Sequence, residues 1–181
     1  MTIEKQIAQV LSKYPELHQH SLRVFFLTYT VLNNLPEDYL DKQKERNLLV
    51  AALLHDIGKG LWPHDWFVLP RREIQESAWL AMQMHPLVGS EFLKSINFNF
   101  DDVLEIISEH HEKVDGAGYP NGVEPSKEAL VLSACDMLAA VTEEKAYRKA
   151  MEMKNALPEI QQQIVPEIYE ALEKTIKKGG K

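Results

Sequence analysis

The segment LLVAALL, residues 48–54, restricts the fold of this chain more than any other stretch. Its apolar side chains point to nearly all sides of a helix, so other parts of the protein must enclose that helix. A membrane cannot enclose it, because a spanning helix needs about 20 apolar residues. Elsewhere the apolar residues also follow helical spacing, and no stretch alternates as a strand would. The sequence therefore predicts an all-α fold, a single-domain helical bundle with this helix at its centre.

Proline and glycine divide the chain into the predicted helices. We expect one domain over residues 1–181, with the polar motifs between about 16 and 150. Amphipathic helices should follow over about 156–178, where isoleucine and leucine recur at four-residue steps and Pro166 should kink or split the segment. That apolar face suits either packing on the core or a homodimer surface. The helices before it are predicted over about 2–13, 16–34, 42–57, 72–84, 86–96, 101–112 and 126–150.

Composition limits the class of protein. The formal net charge of −7 disfavours long nucleic acid as a partner, because a polyanion needs a basic surface. It leaves room for a small anionic, nucleotide-type substrate held by metal ions. No apolar run is long enough for a membrane helix, and the N-terminus lacks the regions of a signal peptide. Cys135, the single cysteine, cannot form an internal disulfide, so we expect a cytoplasmic protein.

Several ionisable residues lie at positions that the apolar pattern predicts to be buried or at the ends of helices. Asp136, for example, lies inside the run LVLSACDMLAAV. A buried carboxylate is unfavourable unless it is paired, hydrogen-bonded or bound to a metal ion. Each residue alone could be a hydrogen-bonded core residue or part of a helix cap. The full set is His20, His55, Asp56, His110, His111 and Asp136.

One metal cluster would account for these residues together. Carboxylates and neutral imidazoles are ligands for iron, manganese, zinc or nickel, and an aspartate can bridge two ions. His110 and His111 are adjacent, and neighbouring side chains on a helix point about 100° apart. Because these two imidazoles cannot easily hold the same ion, they indicate a site with more than one metal ion.

Five motifs, in their order along the chain, resemble those of the HD superfamily of metal-dependent phosphohydrolases. The segment HHEKVDGAGYP is similar to one branch in particular, the HD-GYP domains, which hydrolyse cyclic di-GMP. The similarity extends from about residue 16 to about residue 150, which is most of the chain. The motifs are HSLRV at 20–24, HDIGK at 55–59, HPLVG at 85–89, HHEKVDGAGYP at 110–120 and the helical aspartate Asp136.

The resemblance implies a cluster of two divalent ions, iron or manganese, in the core of the bundle. Asp56 matches the position that bridges the ions and serves in catalysis. Glu16, four residues before His20, matches a glutamate that holds a third ion in some HD-GYP domains. It suits equally well the first turn of a helix, where the dipole favours an acid. The implied metal ligands are His20, His55, Asp56, His85, His110, His111 and Asp136.

The resemblance also implies how phosphate chemistry would proceed. The ions supply an activated water as the nucleophile, and Lys59 serves as a catalytic and substrate-binding cation that polarises a phosphate oxygen. Lys145 and Arg148 stand at the basic positions that approach the substrate. The turn that follows the paired histidines, residues 115–120, is named here the GYP loop. In this family it is a candidate contact for a signalling partner.

The chain departs from the family pattern after Asp136. The family usually has a second aspartate where Ala139 stands, and an arginine where Lys145 loses the bidentate geometry for phosphate. Three functions therefore stay open. The motif set favours a phosphodiesterase of cyclic di-GMP or a related cyclic dinucleotide. Ala139 favours a phosphohydrolase of another nucleotide or phosphate ester. A non-catalytic metal-binding scaffold is the third, and the complete ligand set argues against it.

Overall fold

The computed structural model describes residues 1–144 and 148–179. These residues form α-helices and short 3₁₀ segments without a β-strand, which confirms the predicted all-α fold. Among the described helices, none combines the length and apolar character that a bilayer requires. The helices are α1 (Ile3–Leu11), α2 (Pro15–Leu32), α3 (Lys42–Leu54), α4 (Asp65–Val68), α5 (Glu76–Met82), α6 (His85–Ser95), α7 (Asp101–Glu109), α8 (Lys127–Thr142), α9 (Met153–Ile160) and α10 (Pro166–Gly179), with 3₁₀ segments at Ile57–Leu61, Arg71–Glu73 and Gln161–Gln163.

Helix α3 lies at the centre of the bundle, as its sequence predicts. Leu48, Ala51 and Ala52 are fully buried, and the helix packs against α2, α7 and α8. Its N-terminus is capped by Asp41, whose carboxylate accepts hydrogen bonds from two backbone amides of the first turn. Enclosure of the apolar C-terminal half of α3 brings the residues that follow Leu54 into the interior.

The C-terminal helices pack on the core of the same chain. Pro166 begins α10, so the split predicted at this residue is confirmed. Ile168, Ala171 and Leu172 are fully buried, and α10 contacts α2, α8 and α9. This intramolecular packing accounts for the four-residue apolar steps, so the pattern needs no homodimer to explain it.

Helix α8 ends at Thr142, and the prediction that it continues to residue 150 is wrong. Arg23 on α2 donates from Nη2 to the Thr142 carbonyl oxygen at 3.2 Å and to Thr142 Oγ1 at 2.8 Å. The Thr142 carbonyl therefore accepts a hydrogen bond from a side chain and not from a backbone amide of a further helical turn. Glu143 then adopts an extended backbone with ψ 140°. Lys145 lies outside the described residues.

The helix predicted over residues 72–84 is also shorter than expected. Helix α5 spans Glu76–Met82, and it is separated from the 3₁₀ segment Arg71–Glu73 by extended backbone at Ile74 and Gln75, with ψ values of 130° and 146°. The Ile74 side chain is buried. Burial of Ile74 in the extended conformation stabilises this local structure more than the helical propensity of the surrounding residues stabilises a continuous helix.

Gly58 brings the end of α3 against the start of α6. The chain leaves the α-helical conformation at Asp56, which ends α3 three residues before the predicted boundary at 57. A Cβ atom at Gly58 would lie 2.2 Å from the His85 carbonyl oxygen and 2.9 Å from the Gly89 backbone nitrogen. Both contacts are with backbone, so neither neighbour can move aside easily. Glycine at this position allows two of the predicted motifs to touch.

We predict that Gly58→Ala destabilises the protein by about 1–3 kcal/mol or more, because the added methyl group overpacks a backbone contact. Urea unfolding of the metal-free protein measures the change. Ser77→Ala, at an exposed position of α5, is the control and should stay within about 0.5 kcal/mol of wild type. Equal stability of the two variants would show that the contact between the 3₁₀ segment and α6 is not close.

Candidate metal centre

The structure brings together all seven side chains predicted as metal ligands. They come from five regions of the bundle: the middle of α2, the end of α3, the start of α6, the end of α7 and the middle of α8. Their ligand atoms form three overlapping groups, each within 4.8 Å. The groups are His20, His55 and Asp56; His55, His110 and Asp136; and His85, His110 and His111. The third group places the adjacent His110 and His111 together, in contrast to the expectation that these two imidazoles hold different ions. Both residues follow Glu109, the last residue of α7, so the 100° spacing of a regular helix does not separate their rings.

Asp56 lies between two sets of imidazoles. Its Oδ1 atom is 3.1 Å from His85 Nε2 and 3.9 Å from His110 Nε2. Its Oδ2 atom is 3.6 Å from His55 Nε2 and 3.8 Å from His20 Nε2. Because the two oxygens face different histidines, this carboxylate has the geometry of a ligand that could bridge two cations.

The imidazoles of His55, His85 and His110 are oriented by backbone carbonyls. In each ring, Nδ1 lies 2.7–3.0 Å from the carbonyl oxygen of the residue three positions earlier. Each of these carbonyls belongs to the last turn of a helix, where the helix itself supplies no donor. A carbonyl only accepts, so Nδ1 carries the hydrogen, and in a neutral ring Nε2 faces the cluster as an acceptor.

The resulting arrangement suits a cation. The Nε2 atoms of His85 and His110 are 3.2 Å apart, and both are acceptors when Nδ1 is protonated. His55 Nε2 is buried and makes no hydrogen bond within the described part of the chain. Acceptors that face one another in the interior without a donor are unfavourable. A metal ion shared among imidazole nitrogens and carboxylates would satisfy them, so the residues present suit a metal cluster.

Burial keeps most of the imidazoles neutral. It lowers the pKa of His85 and lowers the pKa of His110 well below its ordinary value. It also lowers the pKa of His111 to about 3, with the neighbouring His85 adding to the effect. Neutral imidazole is the form that binds metal ions, so these rings need not lose a proton first.

The two carboxylates stay ionised in spite of their burial. Burial alone would raise the pKa of Asp56, but Lys59 and the neighbouring histidines lower it well below its usual value. For Asp136 burial is likewise outweighed, here mainly by the hydrogen bond from His20, with the nearby His55 adding to the effect. His20 is the exception among the imidazoles. Burial lowers its pKa, yet the bonds to Asp136 and Glu143 raise it to about 10.

A wide cavity opens onto one side of the cluster. Its volume is about 930 Å³, and Asp56, His111 and Lys59 lie on its inner surface. Lys59 Nζ is 2.7 Å from Asp56 Oδ2, so this lysine contacts the cluster. The outer wall carries aromatic and basic side chains, and the Arg71 guanidinium carbon lies 4.8 Å from the centre of the Trp79 ring.

Glu16 and Arg148 have other partners in the structure. Glu16 lines the cavity, and its carboxylate contacts the Nε2 atom of His64. Its proposed role as ligand of a third ion stays a prediction. Arg148 donates from Nη2 to the Ala140 carbonyl oxygen at 2.5 Å and is absent from the described residues that line the cavity. Its role in substrate binding also stays a prediction.

Three neighbours of the cluster were missed from the sequence. Tyr119 lies against His111 with ring centres 4.7 Å apart and also lines the cavity. Glu112 is only 2% exposed, and its carboxylate accepts hydrogen bonds from the backbone amides of Asn121 and Gly122 at the end of the GYP loop. Glu143 contacts His20. The motif HHE was the one available signal for Glu112, whereas nothing in the apolar spacing indicated Glu143.

Comparison with known proteins finds relatives that are named as phosphodiesterases. Residues 5–165 match the HD domain family. A Vibrio cholerae protein named 3′3′-cGAMP-specific phosphodiesterase 3 is 31% identical over 172 residues, which cover 91% of this chain and 36% of that protein. The cyclic di-GMP phosphodiesterase response regulator RpfG of Xanthomonas campestris is 33% identical, with 65% of this chain and 32% of the relative covered. The chain thus spans about a third of the length of these relatives.

Solved structures show the same fold. An HDG"Y"P protein of Bdellovibrio bacteriovorus superposes with a TM-score of 0.72 at 18% identity, over 88% of this chain and 52% of that one. The HD domain of the L. monocytogenes phosphodiesterase PgpH, in complex with cyclic-di-AMP, gives 0.71 at 17% identity, over 96% and 94%. With residues 5–165 matched, the resemblance drawn from the motifs is confirmed: the chain belongs to the HD domain family, and its relatives include proteins named as phosphodiesterases of 3′3′-cGAMP and of cyclic di-GMP.

Proposed function

We propose that the protein is a metal-dependent phosphodiesterase that hydrolyses cyclic di-GMP or a related cyclic dinucleotide, such as 3′3′-cGAMP. The observation that carries this proposal is the cluster around Asp56, which lies at the floor of a cavity of about 930 Å³. The relatives named as phosphodiesterases of these two compounds support the substrate class. An open cavity next to a cluster of potential ligands gives a phosphate ester access to it.

We propose two divalent ions, each held mainly by one side of the cluster. Asp56 would bridge them, because its two oxygens face different imidazoles. His20, His55 and Asp136 would complete one side, and the remaining three histidines would complete the other. Iron and manganese accept mixed imidazole and carboxylate ligands, and availability decides which is loaded. When bound, the ions supply an activated water and polarise the phosphate. Glu16 is the proposed ligand if a third ion binds.

Lys59 is the proposed catalytic cation of the chain. Its side chain reaches both Asp56 and the cavity. Burial lowers the pKa of Lys59, but the ionised Asp56 beside it raises the pKa more, so the ammonium group stays charged. A phosphate oxygen in the cavity would accept a hydrogen bond from this group, and the bond would strengthen as charge develops in the transition state.

The cavity wall supports a substrate that carries bases. Trp66 and Trp79 both line it, and Arg71 stacks on Trp79. Stacking of a base on an aromatic side chain is worth about 1–3 kcal/mol and works with every base. The cavity volume lies in the range that encloses small organic ligands, about 300–1,000 Å³. Together these features favour a nucleotide-type substrate over a simple phosphate ester.

Ala139 is weaker evidence for another substrate than its place in the motif indicates. Its side chain is fully buried in α8, and the cavity lining includes Ala140 but not Ala139 among the described residues. Because the side chain at position 139 does not line the cavity, alanine in place of the family's aspartate takes no acidic group away from the described cavity surface. Hydrolysis of another nucleotide is the second candidate function, and the assay below separates the two.

The remaining predicted partners belong to this proposal as well. The loop between α7 and α8 exposes Val114 and Val123, with 59% and 43% of their surface accessible. These apolar side chains flank the GYP loop on both sides and support it as a contact for a signalling partner. Lys145 and Arg148 are proposed to bind substrate phosphate when it occupies the cavity.

Cys135 is free and fully buried, in keeping with a reducing cytoplasm.

We predict that the metal-loaded protein hydrolyses a cyclic dinucleotide and that Lys59→Ala lowers kcat about 10²–10³-fold, because one charge-stabilising donor is lost. Product formation from cyclic di-GMP, 3′3′-cGAMP and a nucleotide panel measures this, with iron kept reduced. The control is Lys94→Ala, at an exposed site of α6. Turnover of nucleotides alone would favour the second candidate function. Bound metal without turnover of any ester would favour the scaffold.

We predict that Asp56→Asn loses most of its bound metal, because a neutral amide replaces the proposed bridging carboxylate. Mn²⁺ at about 100 times its Kd should stabilise the wild-type protein by about 2.7 kcal/mol, and the variant should show little of this gain. Elemental analysis and thermal unfolding measure the two effects. His18→Asn replaces an exposed histidine near His20 and should behave as wild type. Full metal content in Asp56→Asn would contradict the proposed centre.

We predict that Trp79→Ala raises KM about 5–150-fold and changes kcat little, because a lost base-stacking contact of about 1–3 kcal/mol weakens ground-state and transition-state binding equally. Steady-state kinetics with a cyclic dinucleotide measures both parameters. Phe26→Ala removes an aromatic side chain that is 62% exposed on α2 and serves as the control. An unchanged KM in Trp79→Ala would show that the base binds elsewhere.

A further inference from the structure

Within the described part of the chain, His20 is the one core imidazole whose Nδ1 atom contacts a side chain and not a backbone carbonyl. It lies in the middle of α2, where the carbonyls of the preceding turn are engaged in the helix. Its Nδ1 atom lies 2.9 Å from Glu143 Oε1, and its Nε2 atom lies 2.8 Å from Asp136 Oδ1. The ring is thus held between two carboxylates, one inside the cluster and one beside it.

We infer that Glu143 is a positioning residue of the metal centre. Its carboxylate accepts the Nδ1 hydrogen of His20 and keeps Nε2 turned toward Asp136 and Asp56. This inference rests on the metal centre of the proposed function, but it does not depend on the substrate. A carboxylate behind a ligating imidazole fixes the ring orientation and raises the basicity of the ligand nitrogen. Glu143 would therefore raise the affinity for the ion on the His20 side of the cluster.

The geometry around α2 fixes where Glu143 lies. Arg23, three residues after His20 on the same helix, donates to both oxygens of Thr142 at 2.8 and 3.2 Å. Thr142 immediately precedes Glu143, so α2 both carries the ligand and holds the end of α8 that supplies its carboxylate partner. The side chains of His20 and Glu143 are only 9% and 15% exposed. Water therefore competes poorly for this hydrogen bond.

The contact also distinguishes the two orientations of the His20 ring. A ring flip would exchange the positions of its two nitrogens relative to Asp136. Without an acceptor on the outer side, little would favour the orientation in which Nε2 faces the cluster. For His55, His85 and His110 a helix-end carbonyl provides that preference, and for His20 the carboxylate of Glu143 takes its place. Removal of this carboxylate should affect one side of the cluster only.

The test is a titration of the metal-free 181-residue chain with Mn²⁺, in which free Mn²⁺ is followed by electron paramagnetic resonance. We expect two sites in the wild-type protein. Glu143→Ala should weaken one of them about 10–100-fold and leave the other within about threefold. Glu143→Gln keeps an oxygen that accepts from Nδ1, so it should recover most of the loss. The matched control is Glu144→Ala, which removes the same charge from the next residue and should leave both sites within about threefold.

Distinct results would overturn the inference. Unchanged Mn²⁺ affinity in Glu143→Ala, or an equal loss in Glu144→Ala, would show that no positioning contact operates or that net charge alone is responsible. Equal weakening of both sites without rescue by Glu143→Gln would show a general structural role. If Glu143→Ala fails to fold, Glu143→Gln decides. Mn²⁺ affinity close to wild type at both sites of Glu143→Gln would support the inference, and loss of Mn²⁺ binding at both sites would contradict it. A wild-type chain that binds no Mn²⁺ overturns it too.

The outcome is separable from that of the proposed function. Turnover of cyclic dinucleotides by the wild-type protein tests the function, whereas site-specific Mn²⁺ affinity tests the role of Glu143. A protein that binds two ions and hydrolyses nothing would contradict the phosphodiesterase and leave the Glu143 inference intact. If the wild-type protein hydrolyses cyclic dinucleotides and Glu143→Ala binds Mn²⁺ with wild-type affinity, the phosphodiesterase is supported and the Glu143 inference is contradicted.

Discussion

The buried carboxylate of Asp56 is the group around which the rest of the structure is arranged. It is 2% exposed, and placing an isolated charge in such a position costs several kcal/mol. Lys59 Nζ, 2.7 Å from Oδ2, offsets part of that cost, and the imidazole nitrogens around both oxygens are suited to hold cations that would offset the rest. This arrangement requires α3 to be central, because Asp56 follows directly from its buried end. It also requires Gly58, which lets the next residues approach the backbone of α6 closely.

The two cationic side chains of the centre lie beside its two carboxylates. Lys59 is paired with Asp56, and His20 is paired with Asp136. Divalent cations at the proposed positions would compete with both positive groups for the carboxylates. Lys59 would then be released from Asp56 while staying next to the cavity, where a phosphate oxygen is an alternative partner. The same lysine would thus pair with Asp56 or, when ions are bound, with the substrate.

The sequence was sufficient for features that depend on local spacing. The apolar run before His55 predicted a central helix, and the apolar pattern predicted that His110 and His111 lie at buried positions or at the end of a helix. The motif order predicted that these side chains would meet. Features made by tertiary contacts could not be read in this way. The end of α8 depends on Arg23 from another helix, which no local pattern near Thr142 reveals. The contact between Glu16 and His64 likewise joins residues 48 positions apart.

The position of each imidazole relative to a helix end explains why its supporting partner was or was not predictable. His55 and His110 directly follow the last residues of α3 and α7, and His85 follows α5 closely. The last turn of a helix leaves carbonyls without intrahelical donors, and each of these rings donates to one of them. These three histidines, each placed at or just after the end of a helix, therefore acquire a partner for Nδ1 from the backbone nearby. His20 lies inside a helix, where those carbonyls are engaged. It needs an acceptor from elsewhere, and the fold supplies one by ending α8 one residue before Glu143.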